Sequence, residues 1–419
     1  MSQLAVPDSA IIFTATAEPR PNMNKCKNRL KVAILVNVIA PAKVPIYSGL
    51  SEHFDLLLLH GGTESNRDCW HDLEKKIPGA RIKRVWDWQI IRVKKVNGKA
   101  FDHQYIHITP GFIWHLIRFR PDAVVTNEMG FRTLVALTYG TLWRKSVGVW
   151  WGGTLHTERN IGPARRVLRF FVSRWARQWI SYGVTSTEYL MTLGISRDRI
   201  LQIQNAVDER HYSAGAEPEF KLQPRPVLLH VGQFIARKGI DLFLHAAAAL
   251  QNSGHDFSLL FVGSGPERRA LEQLATDLHL QNVHFHRSRE PEKMPSVYRS
   301  GDVLVFPTLE DVWGLVANEA VLSGLPVLCS KYAGCATELF PEESIFDPED
   351  PHDFFVKLRD ATTGRLPKPD CTRIKTTPEI LHQMIDAIET AVDRQVSRAQ
   401  VARVSKRNER QSLTNRGLQ

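Results

Sequence analysis

Short runs of apolar, largely β-branched residues recur along the first half of the chain, at 31–37, 54–59, 123–126, 147–151 and 179–182. Runs of this kind read as strands buried on both faces of a parallel sheet. Between them the apolar positions widen to helical spacing, as over 112–119 and 163–177. Strands alternating with helices predict a parallel α/β sheet. The alternation restarts after Asn205, with strands over 226–231, 257–262, 283–286, 302–306 and 326–329 and helices over 240–251 and 267–277. Two Rossmann-like domains follow, 29–205 and 206–376, joined through a weakly periodic linker at 206–224. A later helix, 378–394, stands beyond a proline-rich stretch at 366–370 and is expected to cross back to the first domain as a 377–394 segment. The 1–28 segment and the basic 395–419 tail are expected to be disordered.

An open parallel sheet binds ligands at the carboxyl ends of its strands. With two such sheets, the expected site is the cleft between them. Three constellations fall at strand ends of the second domain. Val231-Gly-Gln-Phe-Ile-Ala-Arg-Lys-Gly-Ile240 places Gly232 where backbone and ligand can approach, and Arg237 and Lys238 where two cations can meet a diphosphate. Such strand-to-helix loops also carry solvated Arg-Lys pairs without any ligand. Val262-Gly-Ser-Gly-Pro266 offers Gly263 and Gly265 for close approach, or simply forms a tight turn.

The third is the most informative. Asp311 and Glu319 bracket a turn, Val312-Trp313-Gly314-Leu315, that opens a helix. The N–H groups of Gly314, Leu315 and Val316 lie where a helix N-terminus accepts an anion. Asp311 is placed to accept sugar hydroxyls, or to complement the helix dipole. Glu319 is placed for a ribose diol, or as an exposed helix acid. Its apolar neighbours Val316, Ala320 and Leu322 indicate a buried carboxylate, which needs partners. The combination suits a nucleoside diphosphate attached to something polyhydroxylated.

Composition narrows the class without choosing within it. The chain has 419 residues, 43% hydrophobic and 23% charged, a globular balance long enough for two cores. Its 54 Lys and Arg against 44 Asp and Glu give a net charge of +10. That fits nucleic acid, anionic membrane or phosphorylated small molecules. Much of the excess lies in the tail, in Arg398, Arg403, Lys406, Arg407, Arg410 and Arg416. Cys26, Cys69, Cys329, Cys335 and Cys371 form no Cys-x-x-Cys pair, which argues against a disulfide framework or zinc site and for a reducing compartment. Residues 1–30 do not read as a signal peptide, and no apolar run is long enough to span a bilayer.

The motif order now carries a resemblance: Gly-Gln-x4-Lys-Gly at 232–239, Phe-Val-Gly-Ser-Gly-Pro at 261–266, Val-x-Phe-x-Arg at 283–287, Met-Pro-x2-Tyr-x-Ser-x-Asp-Val-x-Val-x-Pro-Thr at 294–308, Asp-x7-Glu-Ala at 311–320 and Ser-Gly-Leu-Pro-Val at 323–327. This resembles family 4 of the GT-B glycosyltransferases, strongly from 227 to 339 and more weakly at Tyr182-Gly-Val-x-Ser-Thr-x-Tyr-Leu, Leu193-Gly and Gln204-Asn-Ala-Val-Asp208. The resemblance implies two Rossmann-like domains facing across a cleft and a retaining hexosyl transfer from a nucleotide-diphosphate sugar. It implies Arg237 and Lys238 on the diphosphate without a divalent metal, Asp311 on the donor sugar, Glu319 on the ribose, and backbone N–H groups of the 312–315 turn on sugar and phosphate. The family's first paired acid is Glu where Asp311 stands here, with Glu310 beside it; spacing to Glu319 selects Asp311. The family's mid-domain His is displaced to His156, a catalytic or sugar contact, or a solvated loop His.

The first domain is expected to bind a glycan or lipid-linked acceptor, in cell-surface or exopolysaccharide synthesis. Pro41, Pro45 and Tyr47 are expected to form a stiff rim, and 101–105 and 150–159, with Thr157, Glu158 and Arg159, further walls. Over 163–179, Leu168, Phe171, Val172, Trp175 and Trp179 share a helical face and Arg165, Arg166, Arg169 and Arg177 crowd the other. That helix either packs on the sheet or rests on an anionic membrane, giving a cytoplasmic protein, free or on the inner face of the cytoplasmic membrane. A sugar-nucleotide epimerase and a non-catalytic sugar-nucleotide-binding subunit are the alternatives. Nucleic-acid binding is disfavoured for want of aromatic platforms.

Overall fold

The computed structural model describes residues 29–62, 73–96, 99–213 and 215–416. The 1–28 segment lies outside these, as do Cys26 and Cys69. Its frame is two parallel sheets. The first domain supplies β1 (Lys31–Val36), β2 (Asp55–His60) and β3 (Arg81–Arg84), then a separate antiparallel hairpin, β4 (Trp88–Val96) with β5 (Lys99–Ile108). β6 (Ala123–Asn127), β7 (Ser146–Trp151), β8 (Gln178–Tyr182) and β9 (Ile200–Ile203) complete a sheet ordered β3-β2-β1-β6-β7-β8-β9. The second domain contributes β10 (Val227–Val231), β11 (Ser258–Val262), β12 (Val283–His286), β13 (Val303–Phe306), β14 (Val327–Ser330) and β15 (Ile345–Phe346), ordered β12-β11-β10-β13-β14-β15. All neighbours in both sheets are parallel.

The central strands are buried along their length because helices cover both faces: β10 and β11 are buried at every position. In each sheet the connections reverse direction beside one strand, at β1 and β6 in the first and at β10 and β13 in the second. A crevice opens at such a reversal. In the second sheet it is flanked by the loops that carry Arg237 and Asp311.

The last helix, Thr377–Arg416, returns to the first domain. Ile380, Met384, Ile388 and Val392 repeat every four residues and are buried in the same core as Ile46 and Leu50 of the helix Val44–His53. His53 Nε2 meets Glu389 Oε1 at 2.8 Å, and Gln395 Nε2 donates to Arg144 O at 3.1 Å. The tail expected to be disordered from 395 continues this helix to Arg416. The reason is local: from Glu379 to Arg416 no Pro or Gly interrupts a run of good helix formers.

Candidate active site

The site is built from the loops that follow β10 and β13. After β13 the chain reaches Asp311, whose backbone is fixed from both sides: its N–H donates to Tyr332 O at 3.3 Å, and Gly334 N–H donates to its carbonyl at 3.1 Å. Gly314 then takes a φ of +104° and starts the helix Leu315–Leu322. A Cβ there would stand 2.5 Å from the Phe306 ring, so only glycine makes this turn. No side chain caps that helix; Ala317 N–H donates to Gly314 O at 2.9 Å, which leaves the N–H groups of Leu315 and Val316 at its start without an intrahelical acceptor.

The loop after β10 brings the cations. Lys238 Nζ lies 2.6 Å from Asp311 Oδ2 and 5.3 Å over the Phe306 ring; Arg237 Nη1 lies 3.8 Å from the same carboxylate oxygen. Burial favours a neutral Asp311, but Lys238 and Arg237 outweigh it and hold the carboxyl below its ordinary value. Burial likewise pulls the Lys238 ammonium down against the pull of Asp311. Of the two adjacent acids, Asp311 therefore meets both expected phosphate cations, whereas Glu310 turns to the first-domain hairpin and accepts from Lys94 Nζ at 2.7 and 3.0 Å.

Glu319 sits further along the helix, part-buried. Tyr298 donates its hydroxyl to Glu319 Oε2 at 2.6 Å, and Tyr212 bonds the same carboxyl. Burial pushes Glu319 up to about 7, while the two tyrosines oppose the rise. Tyr298 stands in the 294–308 motif and Tyr212 in none, and the sequence assigned this role to neither; a buried carboxylate announces a need for donors but not which ones.

Other expected residues have different neighbours from those anticipated. The Trp313 N–H already serves Asp311 Oδ1 at 3.2 Å, and its fully buried indole donates to Asn318 Oδ1 at 2.8 Å. It shapes the turn rather than offering a donor. Gly263 and Gly265 are required by protein, since a Cβ at either would lie 1.8 Å from Gly232 O or 2.3 Å from Phe234 O. The two strand-end loops press together there, joined by Phe234 N–H to Ser264 O at 3.0 Å. Gly232 N–H in turn donates to Val262 O at 3.1 Å.

His156 lies on the short helix Leu155–Glu158 and crosses the cleft. Its Nε2–H donates to Leu309 O at 2.8 Å and its ring stacks on Tyr332 at 4.2 Å. Burial lowers its pKa, so it is neutral at pH 7. Of its loop partners, Arg159 reaches Glu310 at 3.6 Å, but Glu158 turns inward to Arg169 at 3.0 Å and Thr157 serves the Thr154 cap. Tyr47 forms no rim: it is 2% exposed and belongs to the core. Beside it the buried Lys43 lies over the Trp150 and Tyr182 rings at 4.9 and 4.7 Å and bonds Asn205; burial brings it down to about 7.

The basic helix is Pro163–Trp175 and also differs from expectation. Trp179 is buried in β8, Val172 packs inside, and Arg169 points inward to Glu158 and Met129 O. The outward face instead mixes Val167, Phe170, Phe171 and Trp175 with Arg166 and Arg174.

Two parallel sheets facing across a cleft, closed by a returning C-terminal helix, define a two-domain α/β protein of GT-B architecture. Residues 216–376, within the second domain, match the family described as Glycosyl transferases group 1. It is 24% identical over 276 residues to the sulfoquinovosyl transferase SQD2 of Arabidopsis thaliana, covering 60% of this chain and 52% of that protein. It is 35% identical over 157 residues to the D-inositol 3-phosphate glycosyltransferase of Nocardia farcinica, covering 34% and 35%. The chain thus spans about half or less of the length of these relatives. Anabaena Alr3699/HepE, solved in complex with UDP and glucose, superposes with a TM-score of 0.64 at 16% identity, covering 86% of this chain and all of that one.

Proposed function

We propose that the protein is a retaining glycosyltransferase that moves a hexose-type sugar from a nucleotide-diphosphate sugar to a hydroxyl of a glycan or lipid-linked acceptor. The observation that carries this reading is the meeting of Arg237, Lys238 and Asp311 beside an uncapped helix N-terminus at the strand reversal. The diphosphate takes its counter-charges from Arg237, Lys238 and that helix end, and transfer is expected to persist in excess EDTA. Glu319, held by Tyr298 and Tyr212, takes the ribose hydroxyls. Asp311 accepts from hydroxyls of the donor sugar.

Charge dictates the chemistry. The bond from the anomeric carbon to the phosphate oxygen breaks, leaving a cationic sugar beside an anion. The acceptor oxygen attacks from the same face, and its proton passes to the departing phosphate oxygen. Retention then needs no protein nucleophile, and Asp311 orients the sugar without bonding to it. Trapping a sugar covalently on Asp311 during turnover would contradict this.

The relatives' names include sulfoquinovosyl, glucosyl and mannosyl transfer, so likeness alone selects no donor. A thermal-shift screen of UDP-, GDP- and ADP-sugars identifies it, because a bound ligand raises Tm by mass action. With that donor and an acceptor extract, Arg237→Ala is expected to lower turnover about 100-fold or more, the scale of losing a donor to developing charge. Full activity in Arg237→Ala would remove the assignment. The aromatic and arginine face of the helix Pro163–Trp175 supports a second element: the enzyme works at the inner face of the cytoplasmic membrane, where an anionic surface presents a lipid-linked acceptor.

A further inference from the structure

The hairpin of β4 and β5 belongs to the first domain, yet its inner face reaches the second. Lys94 and Asp102 are cross-strand partners in the hairpin register. Asp102 Oδ2 lies 2.7 Å from Arg237 Nε, and Lys94 lies 2.7 Å from Glu310. Arg237 Nη1 donates to the Glu310 carbonyl at 2.6 Å, which closes a ring of four residues, two from each domain. All four side chains are at most a quarter exposed. The guanidinium assigned to the donor diphosphate is therefore held by a first-domain carboxylate.

A diphosphate entering this ring adds negative charge beside Asp102 and Asp311. Asp311 is pinned by its backbone bonds to Tyr332 and Gly334. Asp102 stands on β5 of a hairpin outside the parallel sheets and is the most exposed member of the ring, at 25%, so it is the member that gives way. We propose that Asp102 is an exchangeable counter-ion of the donor site: it pairs with Arg237, and a nucleoside diphosphate displaces it. Asp102 is a positioning residue, acting through Arg237, and it tunes donor affinity and release of the diphosphate product. The inference rests on the reading of Arg237 as a diphosphate ligand.

The test is calorimetric titration of the full chain with UDP, GDP and ADP, each beside its own nucleoside. Asp102→Asn removes the competing charge at constant shape. It is expected to bind the cognate diphosphate about five- to tenfold tighter, the scale of one partly buried ion pair, with nucleoside affinity unchanged. Asp102→Glu restores wild-type binding. Lys94→Met, which loosens the hairpin and keeps Asp102, gives no tightening. Equal or weaker diphosphate binding by Asp102→Asn overturns the exchange, as does tightening that extends to the nucleoside or is reproduced by Lys94→Met. Arg237→Ala separates the two ideas. Its loss of diphosphate binding upholds the site on which the exchange depends; wild-type binding by that variant would remove the site itself, whatever Asp102→Asn does.

Discussion

Glu319 shows what a single residue's surroundings do to its chemistry. In the folded chain its carboxyl stands at about 7, above its ordinary 4.5, because burial outweighs the hydroxyls of Tyr298 and Tyr212. Folding therefore favours the protonated form. That contribution to stability is whole below the unfolded value and fades as the pH rises through about 7. A ribose diol brings two more donors and favours the carboxylate, so diphosphate affinity is expected to climb between roughly pH 6 and 8, by up to about tenfold per pH unit. The phosphate's own ionisation acts in the same direction. Calorimetry of Glu319→Gln isolates the protein's share: that variant keeps only the ligand's dependence, and an unchanged profile would mean Glu319 does not touch the diol. Arg237, Lys238, Asp311 and Glu319 were legible in the sequence because each stands in a short motif at a strand end. The pairings of Tyr298, Tyr212 and Asp102 were not: Tyr298 stands in a motif and Asp102 in an expected wall, but which group each meets depends on packing between separate elements.

At the scale of elements, periodicity located the central strands of both sheets and missed the hairpin. Its signal was present: Asn97-Gly98 stands between two runs of β-prone residues, a pattern that favours a tight hairpin turn. The hairpin lies outside the parallel sheet, so the βα alternation had no place for it. The returning helix was legible from its apolar spacing, and its partner follows from packing. Met384 is fully buried against the first domain. Met384→Ala is expected to destabilise the protein by about 2–5 kcal/mol, the usual cost of a core truncation. Urea denaturation reads this directly, and a loss below about 0.5 kcal/mol, the range of surface substitutions, would show that the helix does not brace the domains.

Across the whole molecule, contacts from different elements join the two domains around the cleft. His156 reaches Leu309, Thr185 Oγ1 donates to Gly334 O at 3.1 Å, and the Glu338 carboxylate accepts from Val184 N–H at the start of the helix Gly183–Thr192. At the cleft base the two crossing segments are laced by Gln204, which donates to Arg373 O at 3.0 Å and accepts from Lys375 N–H at 2.8 Å. Among the described residues no helix is long and apolar enough to cross a membrane. The proposed membrane contact would run through the outward face of the helix Pro163–Trp175. At low salt the protein is expected to sediment with phosphatidylglycerol vesicles more than with phosphatidylcholine vesicles, and Phe170→Ser with Phe171→Ser to lose most of that difference. Equal sedimentation with both lipids would sink the membrane proposal.

The sequence by itself determined the two α/β units, the order of strand-end motifs and the acids and cations of the second domain. These rest on local periodicity and on backbone chemistry at strand and helix ends, which neighbouring residues dictate. Tertiary structure alone decided which charges meet. It turned Arg169 and Tyr47 inward, gave Glu319 its tyrosines and set Asp102 against Arg237. Such pairings depend on how two domains and a hairpin pack in space, where burial and Coulomb attraction act between groups that lie far apart along the chain.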